Sequence, residues 1–410
     1  MERIKFNLDI PDDIRKIHKI FNDNGFKLFI VGGSIRDALL DKLPKDWDLA
    51  TDAIPDKVES MMKEAGLITI ATGKAFGVIN VFTETDEFEI ATFRSDQYNE
   101  NSSTIEIPKV DDAPYLEFIG KVIDGEFIKG DNTKKNISGH RPDGVKFTTI
   151  EIDVLRRDLT INALFFDLDT SEVVDLVGGV EDLKNGIIRT VGQAKDRFCE
   201  DRLRILRAIR FAARFSNGLH SEIIDALRED SSLEGISSER IRDEFLKGLK
   251  SANSTVFFLE MLDSFNLFDW IFPSMEINRK FIEDKDPIVA ISMLLKNNDL
   301  NKLKKDLNKL SYSTTEIKSI LFLITLPSLS IDNAVDMKKA FLISNVSVDQ
   351  LRNYGSRECV LSQLLDAFEE FQLTISGEDI MKKFDLKPGK ELGDKIKELE
   401  LDNFKKLIYL

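Results

Sequence analysis

The sequence predicts an α/β domain, built on a small mixed sheet with helices, followed by an all-α region. In the first part of the chain, short apolar runs bounded by glycines and turn residues alternate with helical patterns. After Asn185 only helical patterns remain. The 410 residues are 42% hydrophobic and 31% charged, which is typical of a folded globular protein and argues against wholesale disorder.

Four segments carry the strand prediction. Leu28–Val31 is an apolar run that ends at a glycine pair, and Ser34 behind it is expected to be the N-cap of a short helix. Gly77–Phe82 and Glu87–Phe93 have strand-like sequences and are separated by turn residues, so they predict a hairpin. Asn162–Leu176 predicts a second hairpin.

The domain organisation follows from the same patterns. Residues 1–186 form the predicted α/β domain, and a mostly polar stretch at about 99–139 interrupts it as an insertion. The segment Phe198–Phe215 repeats apolar residues at helical spacing and predicts one long helix. Prolines mark the expected breaks between the helices that follow.

Composition excludes several classes of protein. The chain has 57 Lys and Arg against 72 Asp and Glu, a net charge of −15, so it should not coat itself with nucleic acid, and any RNA contact requires a local basic patch. No run of eighteen apolar residues predicts a membrane span, and the N-terminus lacks the layout of a signal peptide. The two cysteines are far apart and predict neither a disulfide framework nor a zinc site. The default expectation is a cytoplasmic protein.

A pair of aspartates suggests metal-dependent chemistry. Asp46 and Asp48 are two residues apart, so on a strand both carboxylates face the same side. Two carboxylates on one face can hold two Mg²⁺ ions about 4 Å apart, the geometry for in-line phosphoryl transfer. Gly32 and Gly33 upstream leave bare backbone that can hold phosphate oxygens. Glu89 becomes a third carboxylate if its strand lies beside the aspartates. The alternative for the aspartates is a solvated sheet edge, and the alternative for Glu89 is a charge on an exposed sheet face.

Two further clusters carry arginines. Arg156–Ala163 (RRDLTINA) offers donors for phosphate and an acceptor for a ribose hydroxyl, although by itself it is more typical of a structural salt bridge. Asp201, Arg204, Arg207 and Arg210 recur in steps of three, roughly along one helix face. Asp201 accepts hydrogen bonds and Arg204 donates them, so the pair could present edges to a nucleobase. The alternative is an ion pair on a solvated helix.

Together these motifs resemble a known family. In chain order they are GGSIRD, DWDLAT, EIATFR, RRDLTINAL, VDLVGGVEDLKNGIIRTVG and EDRLRILRAIRFAARF. This series is similar to the class II tRNA nucleotidyltransferases and the related bacterial poly(A) polymerases, over roughly residues 25–215 apart from the insertion. The resemblance implies a nucleotidyltransferase head followed by a helical neck, body and tail. The expected boundaries are 1–186, 187–255, 256–340 and 341–410.

The resemblance also implies roles for individual residues. Asp46 and Asp48 would bind the Mg²⁺ pair, and Glu89 would help activate the 3′-hydroxyl of the primer. The residues expected to bind the nucleotide are Gly32, Gly33, Arg36, Arg157, Asp158, Asn162, Asp201, Arg204, Arg207 and Arg210. Among these, Asp201 and Arg204 would select CTP or ATP through hydrogen bonds to the base, without a nucleic-acid template.

Two features favour CCA addition within this family. Ser376–Leu399 is similar to the tail motif of many bacterial CCA-adding enzymes, and the chain lacks the long basic C-terminal extension of typical poly(A) polymerases. The expected reaction adds CMP, CMP and AMP from CTP and ATP to the 3′ end of tRNA, held by its acceptor arm, and releases pyrophosphate. Poly(A) polymerase, a CC-only or A-only enzyme, and a catalytically silent RNA-binding relative remain alternatives. Gly139–Phe147 resembles the family's flexible loop, but the insertion precedes it.

Overall fold

A computed structural model describes residues 2–44, 46–97, 144–215 and 217–408, together with the backbone of four short strands between residues 104 and 136. The rest of the predicted insertion, and residues 139–143 of the loop region, lie outside the described residues. The chain divides into two compact units, Met1–Ile236 and Ser237–Leu410. The four-part division made from the sequence stays a prediction.

The first unit contains strands and helices in alternation. Its strands are β1 (Glu2–Lys5), β2 (Leu28–Val31), β3 (Asp48–Thr51), β4 (Ile68–Ile70), β5 (Val78–Phe82), β6 (Glu87–Thr92), β7 (Arg94–Gln97), β8 (Thr104–Ile105), β9 (Gly120–Ile123), β10 (Glu126–Lys129), β11 (Lys135–Asn136), β12 (Gly144–Phe147), β13 (Phe165–Asp167), β14 (Glu172–Asp175), β15 (Ile187–Ile188) and β16 (Gly218–Leu219). Its helices are α1 (Asp12–Asp23), α2 (Gly33–Leu39), α3 (Pro55–Glu64), α4 (Ile150–Asp153), α5 (Gly179–Asn185), α6 (Ala194–Glu200), α7 (Leu203–Phe215) and α8 (Ser221–Glu229).

The main sheet has eight strands in the order β1-β14-β13-β2-β3-β6-β5-β4. Strands β3 and β6 are parallel, and every other neighbouring pair is antiparallel, so the sheet is mixed as predicted. Alternate residues of β2 pack on opposite faces: Leu28 and Ile30 join a core with α1 and α3, while Phe29 and Val31 join a second core. The sheet is therefore covered on both faces at β2.

The predicted strands are confirmed, but two helix starts are not where the sequence placed them. Ser34 lies inside α2 with its hydroxyl buried and unpartnered among the described residues, and the N-cap position belongs to Gly32, whose φ is +80°. The single helix predicted over Phe198–Phe215 is two, because α6 ends at Glu200 and α7 begins at Leu203. Asp201 adopts an extended backbone between them.

The described residues of the second unit contain helices and no strand, as predicted. The prediction of helices alone after Asn185 is wrong at one place in the first unit, where β15 and β16 form a short parallel pair. The helices of the second unit are α9 (Ser238–Ser251), α10 (Thr255–Ser264), α11 (Phe268–Ile271), α12 (Pro287–Leu295), α13 (Leu300–Lys309), α14 (Thr314–Thr325), α15 (Ala334–Ser344), α16 (Val348–Arg357), α17 (Ser362–Glu370), α18 (Gly377–Phe384) and α19 (Lys390–Ile408). Several begin at side-chain caps; Ser313 and Ser347, for example, form capping boxes. No helix in the described part of the chain is both long and apolar enough to cross a membrane.

Candidate functional site

Two of the three predicted carboxylates lie on neighbouring strands. Asp48 is the first residue of β3, and in the parallel β3–β6 pair it is directly opposite Glu89. Asp46 precedes the strand rather than lying on it, which corrects the expectation that both aspartates share a strand. The alternation still holds, because Trp47 and Leu49 pack in the core while the three carboxylates are exposed. This part of the sheet therefore presents its acidic groups to solvent.

These carboxylates line a pocket of about 220 Å³. The protein around the pocket partly desolvates the Asp48 carboxylate although the residue is exposed, and this raises its pKa; Arg157 opposes the shift and the nearby Asp46 adds to it. Burial and the charge of Asp48 raise the pKa of Glu89. The structure pairs none of the three with a hydrogen-bond donor or a salt-bridge cation among the described residues.

The donor set of this pocket suits a hard divalent cation, which prefers carboxylate oxygens. A bound cation would offset the repulsion among Asp46, Asp48 and Glu89. Among the described residues, however, no three His, Cys, Asp or Glu side chains form a ready-made metal centre. Asp46, Asp48 and Glu89 supply oxygen ligands suited to a divalent cation. Their side chains would have to move closer together to bind it.

The glycine turn lies at the C-terminal end of β2. The amide of Gly32 donates to the carbonyl of Leu164 at 3.0 Å, which joins the turn to the neighbouring RRDLTINA segment. One turn into α2, Arg36 is only 4% exposed. Its guanidinium donates to Asp37 at 2.7 and 2.9 Å and to the side-chain oxygen of Asn162. Burial lowers the pKa of Arg36, and Asp37 acts against that shift.

A second arginine completes this hydrogen-bonded chain. Arg207 on α7 donates to Asp158 at 2.7 Å, and the Asn162 amide lies 3.5 Å from the other carboxylate oxygen. Burial by itself would raise the pKa of Asp158, but Arg207 and the Leu159 amide lower it to about 2. Asn162 also contacts Arg36. One hydrogen-bonded network therefore joins the motifs GGSIRD, RRDLTINAL and EDRLRILRAIRFAARF.

Arg157 has a different environment from the one expected of a phosphate-binding residue. Its guanidinium donates to Asp153 at 2.8 and 3.2 Å and lies 4.8 Å above the ring of Phe165. Asp153 is 1% exposed and also accepts from Arg156 and from the amide of Arg94. The structural salt bridge that the sequence analysis gave as the alternative for the RRDLTINA segment is therefore present, between Arg157 and Asp153. Sequence reasoning missed Asp153, although an acid four residues before Arg157 in a helical turn was an available signal.

The two residues predicted to select the base lie at the break between α6 and α7. The Asp201 carboxylate accepts from the amide of Leu203 at 3.0 Å and so begins α7. Arg204 is 8% exposed and donates to Glu200 at 2.7 Å and to the carbonyl of Arg156 at 2.8 Å. The alternative of an ion pair on a solvated helix is wrong for Arg204, because the pair it forms is buried.

Arg210 is the last member of the arginine series on α7. It is 8% exposed, and its guanidinium lies 4.3 Å from the centroid of the Phe211 ring. The predicted nucleotide-binding residues thus meet in the first unit around one end of β2, α2 and the start of α7, and several of them are buried in ion pairs.

Comparison with known proteins assigns the class of protein. Residues 28–189 match the family of the poly A polymerase head domain, and residues 219–278 match a family described as a probable RNA and SrmB-binding site of polymerase A. Together the two matches cover more than half of the chain. The chain is a nucleotidyltransferase.

Individual relatives extend this match. A CCA-adding enzyme of Lactobacillus helveticus is 29% identical over 415 residues, which span 95% of this chain and 93% of that enzyme. Poly(A) polymerase I of Salmonella typhi is 32% identical over 302 residues, which span 73% of this chain and 58% of that enzyme. The structure of a Thermotoga maritima CCA-adding enzyme complexed with tRNA superimposes with a TM-score of 0.64 at 18% identity, covering 99% of this chain and 95% of that one. The chain belongs to the family of class II tRNA nucleotidyltransferases and bacterial poly(A) polymerases.

Proposed function

We propose that this protein is a CCA-adding tRNA nucleotidyltransferase. It transfers CMP, CMP and AMP from CTP and ATP to the 3′ end of tRNA and releases pyrophosphate. The observation that carries the proposal is the extent of similarity: the CCA-adding relative aligns over 93% of its length, whereas poly(A) polymerase I aligns over 58%. The CCA-adding relative also spans 95% of this chain, whereas poly(A) polymerase I spans 73% of it.

The carboxylate pocket is the proposed centre of catalysis. Asp46 and Asp48 would hold Mg²⁺, which when bound neutralises developing charge on the triphosphate and lowers the pKa of the attacking hydroxyl. Glu89, paired in register with Asp48, would orient the 3′-hydroxyl of the tRNA and accept its proton.

Nucleotide binding is proposed for the residues around the glycine turn and α7. The triphosphate would lie against Gly32, Gly33 and Arg36, and the ribose near Asp158 and Asn162. Base selection is assigned to Asp201 and Arg204, and the surrounding positive charge to Arg157, Arg207 and Arg210. Several of these arginines already bind carboxylates, so the protein holds their guanidinium groups in place before the nucleotide arrives.

An end-sequencing assay tests the proposed reaction. The protein is incubated with Mg²⁺ and a tRNA that ends at the discriminator base, with CTP, ATP or both, and the 3′ ends are sequenced. The expected ends are CC with CTP alone and CCA with both nucleotides. Absence of 3′ ends extended by CCA with both nucleotides would contradict the proposal.

The same assay separates the alternatives. Poly(A) polymerase is favoured by one observation, the 32% identity to poly(A) polymerase I over 302 residues. That enzyme would produce long A tails and ignore CTP. Ends that stop at CC with both nucleotides indicate a CC-only enzyme, and A added only to tRNA that already ends in CC indicates an A-only enzyme. A catalytically silent RNA-binding relative would bind tRNA without extending it.

Replacing the aspartates tests the carboxylate pocket. Asp48→Asn and Asp46→Asn should each lower turnover by about 1000-fold, since metal-dependent charge stabilisation supplies several kcal/mol, and each tenfold corresponds to about 1.4 kcal/mol. Asp86→Asn is the matched control because Asp86 lines the same pocket from the β5–β6 turn. It should keep near-normal turnover. Wild-type Mg²⁺-dependent activity in Asp48→Asn, with thermal unfolding unchanged, would overturn the assignment.

A further inference from the structure

Helix α7 carries a stacked aromatic pair that the proposed roles do not use. Phe211 and Phe215 are one helical turn apart, with ring centroids separated by 6.1 Å and planes inclined by only 11°. Phe211 is 5% exposed. Neither residue was singled out in the sequence, because two phenylalanines four apart on a helix are ordinarily core residues.

The faces of these two rings are surrounded by cations. The guanidinium carbon of Arg36 lies 5.2 Å from the Phe211 centroid and 5.0 Å from the Phe215 centroid, so it contacts both rings. The further cations within 6 Å of one of these rings are Arg207 (5.9 Å) and Arg210 (4.3 Å) at Phe211, and Arg214 (5.1 Å) and Lys42 (5.3 Å) at Phe215.

The contacts of Arg36 show what the rings contribute. The N–H groups of the guanidinium donate to Asp37 and to Asn162, and these bonds fix the position of the guanidinium edge that carries them. These bonds alone leave rotation about the axis through the two acceptors. The faces of Phe211 and Phe215 remove that freedom. A cation–π contact is strongest where the cation is desolvated, and Arg36 is among the buried charged residues.

We propose that Phe211 and Phe215 are positioning residues that set the plane of Arg36 and align the neighbouring α7 arginines toward the triphosphate. The rings touch no substrate themselves and act through the guanidinium groups. The inference rests on the proposed function in one respect: Arg36 is taken to bind the triphosphate. It goes beyond that proposal by assigning nucleotide affinity to two apolar side chains.

The test separates the π face of a ring from its apolar bulk. The double variant Phe211→Leu/Phe215→Leu keeps most of the apolar volume but removes both ring faces, and Phe215→Tyr keeps a ring. Phe21→Leu is the control, because Phe21 is a fully buried ring on α1 in the core that α1 and α3 form with the sheet. The dissociation constants of CTP and of ATP are measured directly by calorimetry, together with KM and kcat on tRNA, and folding is followed by thermal unfolding.

The expected result is a rise of about tenfold in the dissociation constant and the KM of the nucleotide in the double leucine variant, with a smaller change in kcat. Phe215→Tyr should bind nucleotide as the wild type does. Phe21→Leu should lower the unfolding temperature and leave nucleotide affinity unchanged. A folded double leucine variant with wild-type affinity overturns the inference, and so does an equal loss of affinity in Phe21→Leu.

Failure of the proposed function gives a different pattern. A wild-type protein that binds ATP or CTP but does not add CCA refutes the CCA proposal. The ratio of the dissociation constants of the double leucine variant and the wild type still tests whether Phe211 and Phe215 position Arg36. A wild-type protein that binds neither nucleotide overturns the inference itself, because Arg36 then has no triphosphate to bind.

Discussion

Gly179 at the start of α5 allows a backbone contact that supports the proposed nucleotide site. A Cβ at this position would lie 2.2 Å from the carbonyl oxygen of Thr160 and 2.7 Å from its carbonyl carbon. An ordinary contact begins at about 3.4 Å, so Gly179→Ala must push the two segments apart by about 1 Å. The displaced segment is the turn Thr160–Asn162, and Asn162 holds the guanidinium of Arg36.

The expected consequences are a loss of about 1–3 kcal/mol in the free energy of unfolding, as for other overpacked sites, and a loss of turnover. A misplacement of about 1 Å in a positioning group can lower turnover by about 100-fold. Urea denaturation measures the first quantity, and steady-state nucleotide incorporation into tRNA measures the second.

Gly178→Ala is the matched control for this experiment. Gly178 has a φ of +81°, so alanine is strained there by roughly 1 kcal/mol, but nothing lies within 4 Å of its Cβ position. It should therefore lose stability and keep its turnover. If Gly179→Ala retains turnover to the same extent as Gly178→Ala, the displacement of the Thr160–Asn162 turn does not govern the site, and the reasoning is refuted.

Two further predictions concern buried carboxylates in the same unit. Asp153→Asn removes the charge that pairs with Arg156 and Arg157 and should cost about 3 kcal/mol in urea denaturation, whereas Asp225→Asn, which breaks an exposed pair, should cost less than about 1 kcal/mol. Equal effects would contradict the reasoning. The pKa of Asp158 is lowered to about 2 from 3.8, so its contribution of roughly 2 kcal/mol is present above pH 4 and is lost as the pH falls from about 4 to 2. Urea midpoints measured over this range should fall less steeply in Asp158→Asn than in the wild type; parallel slopes would count against the assignment.

Local patterns predicted the strands well because successive side chains of a strand point to opposite faces, so a continuous apolar run implies packing on both faces. Leu28–Val31 places successive residues in opposite cores, and the sheet pairs both predicted hairpins as expected. The parallel pairing of Asp48 with Glu89 could be stated only as a condition, since it depends on which strands become neighbours. Strand order depends on the whole sheet, so the sequence of one short segment does not predict which strands become its neighbours.

The break between α6 and α7 was missed for a related reason. The apolar spacing continues through it, but the side chain of Asp201 captures the amide of Leu203 and restarts the helix. Such a local hydrogen bond competes with the regular helical pattern and is decided by tertiary contacts. Ser34 illustrates the converse, because a good capping residue is displaced by Gly32, which alone tolerates the backbone angle that the turn requires.

The acidic composition of the chain and its arginine-rich site are compatible because carboxylates pair with the arginines, and some carboxylates pair with two arginines at once. Asp37 binds Arg36, Asp158 binds Arg207, and further carboxylates bind the arginines beside them. Each carboxylate cancels charge at long range while fixing the direction of the guanidinium at short range. A polyanion that approaches from solvent therefore meets only part of the positive charge of the arginines. A triphosphate seated at the glycine turn would instead meet donors that are already oriented, so the same pairing that suppresses unspecific RNA binding would favour a nucleotide in one position.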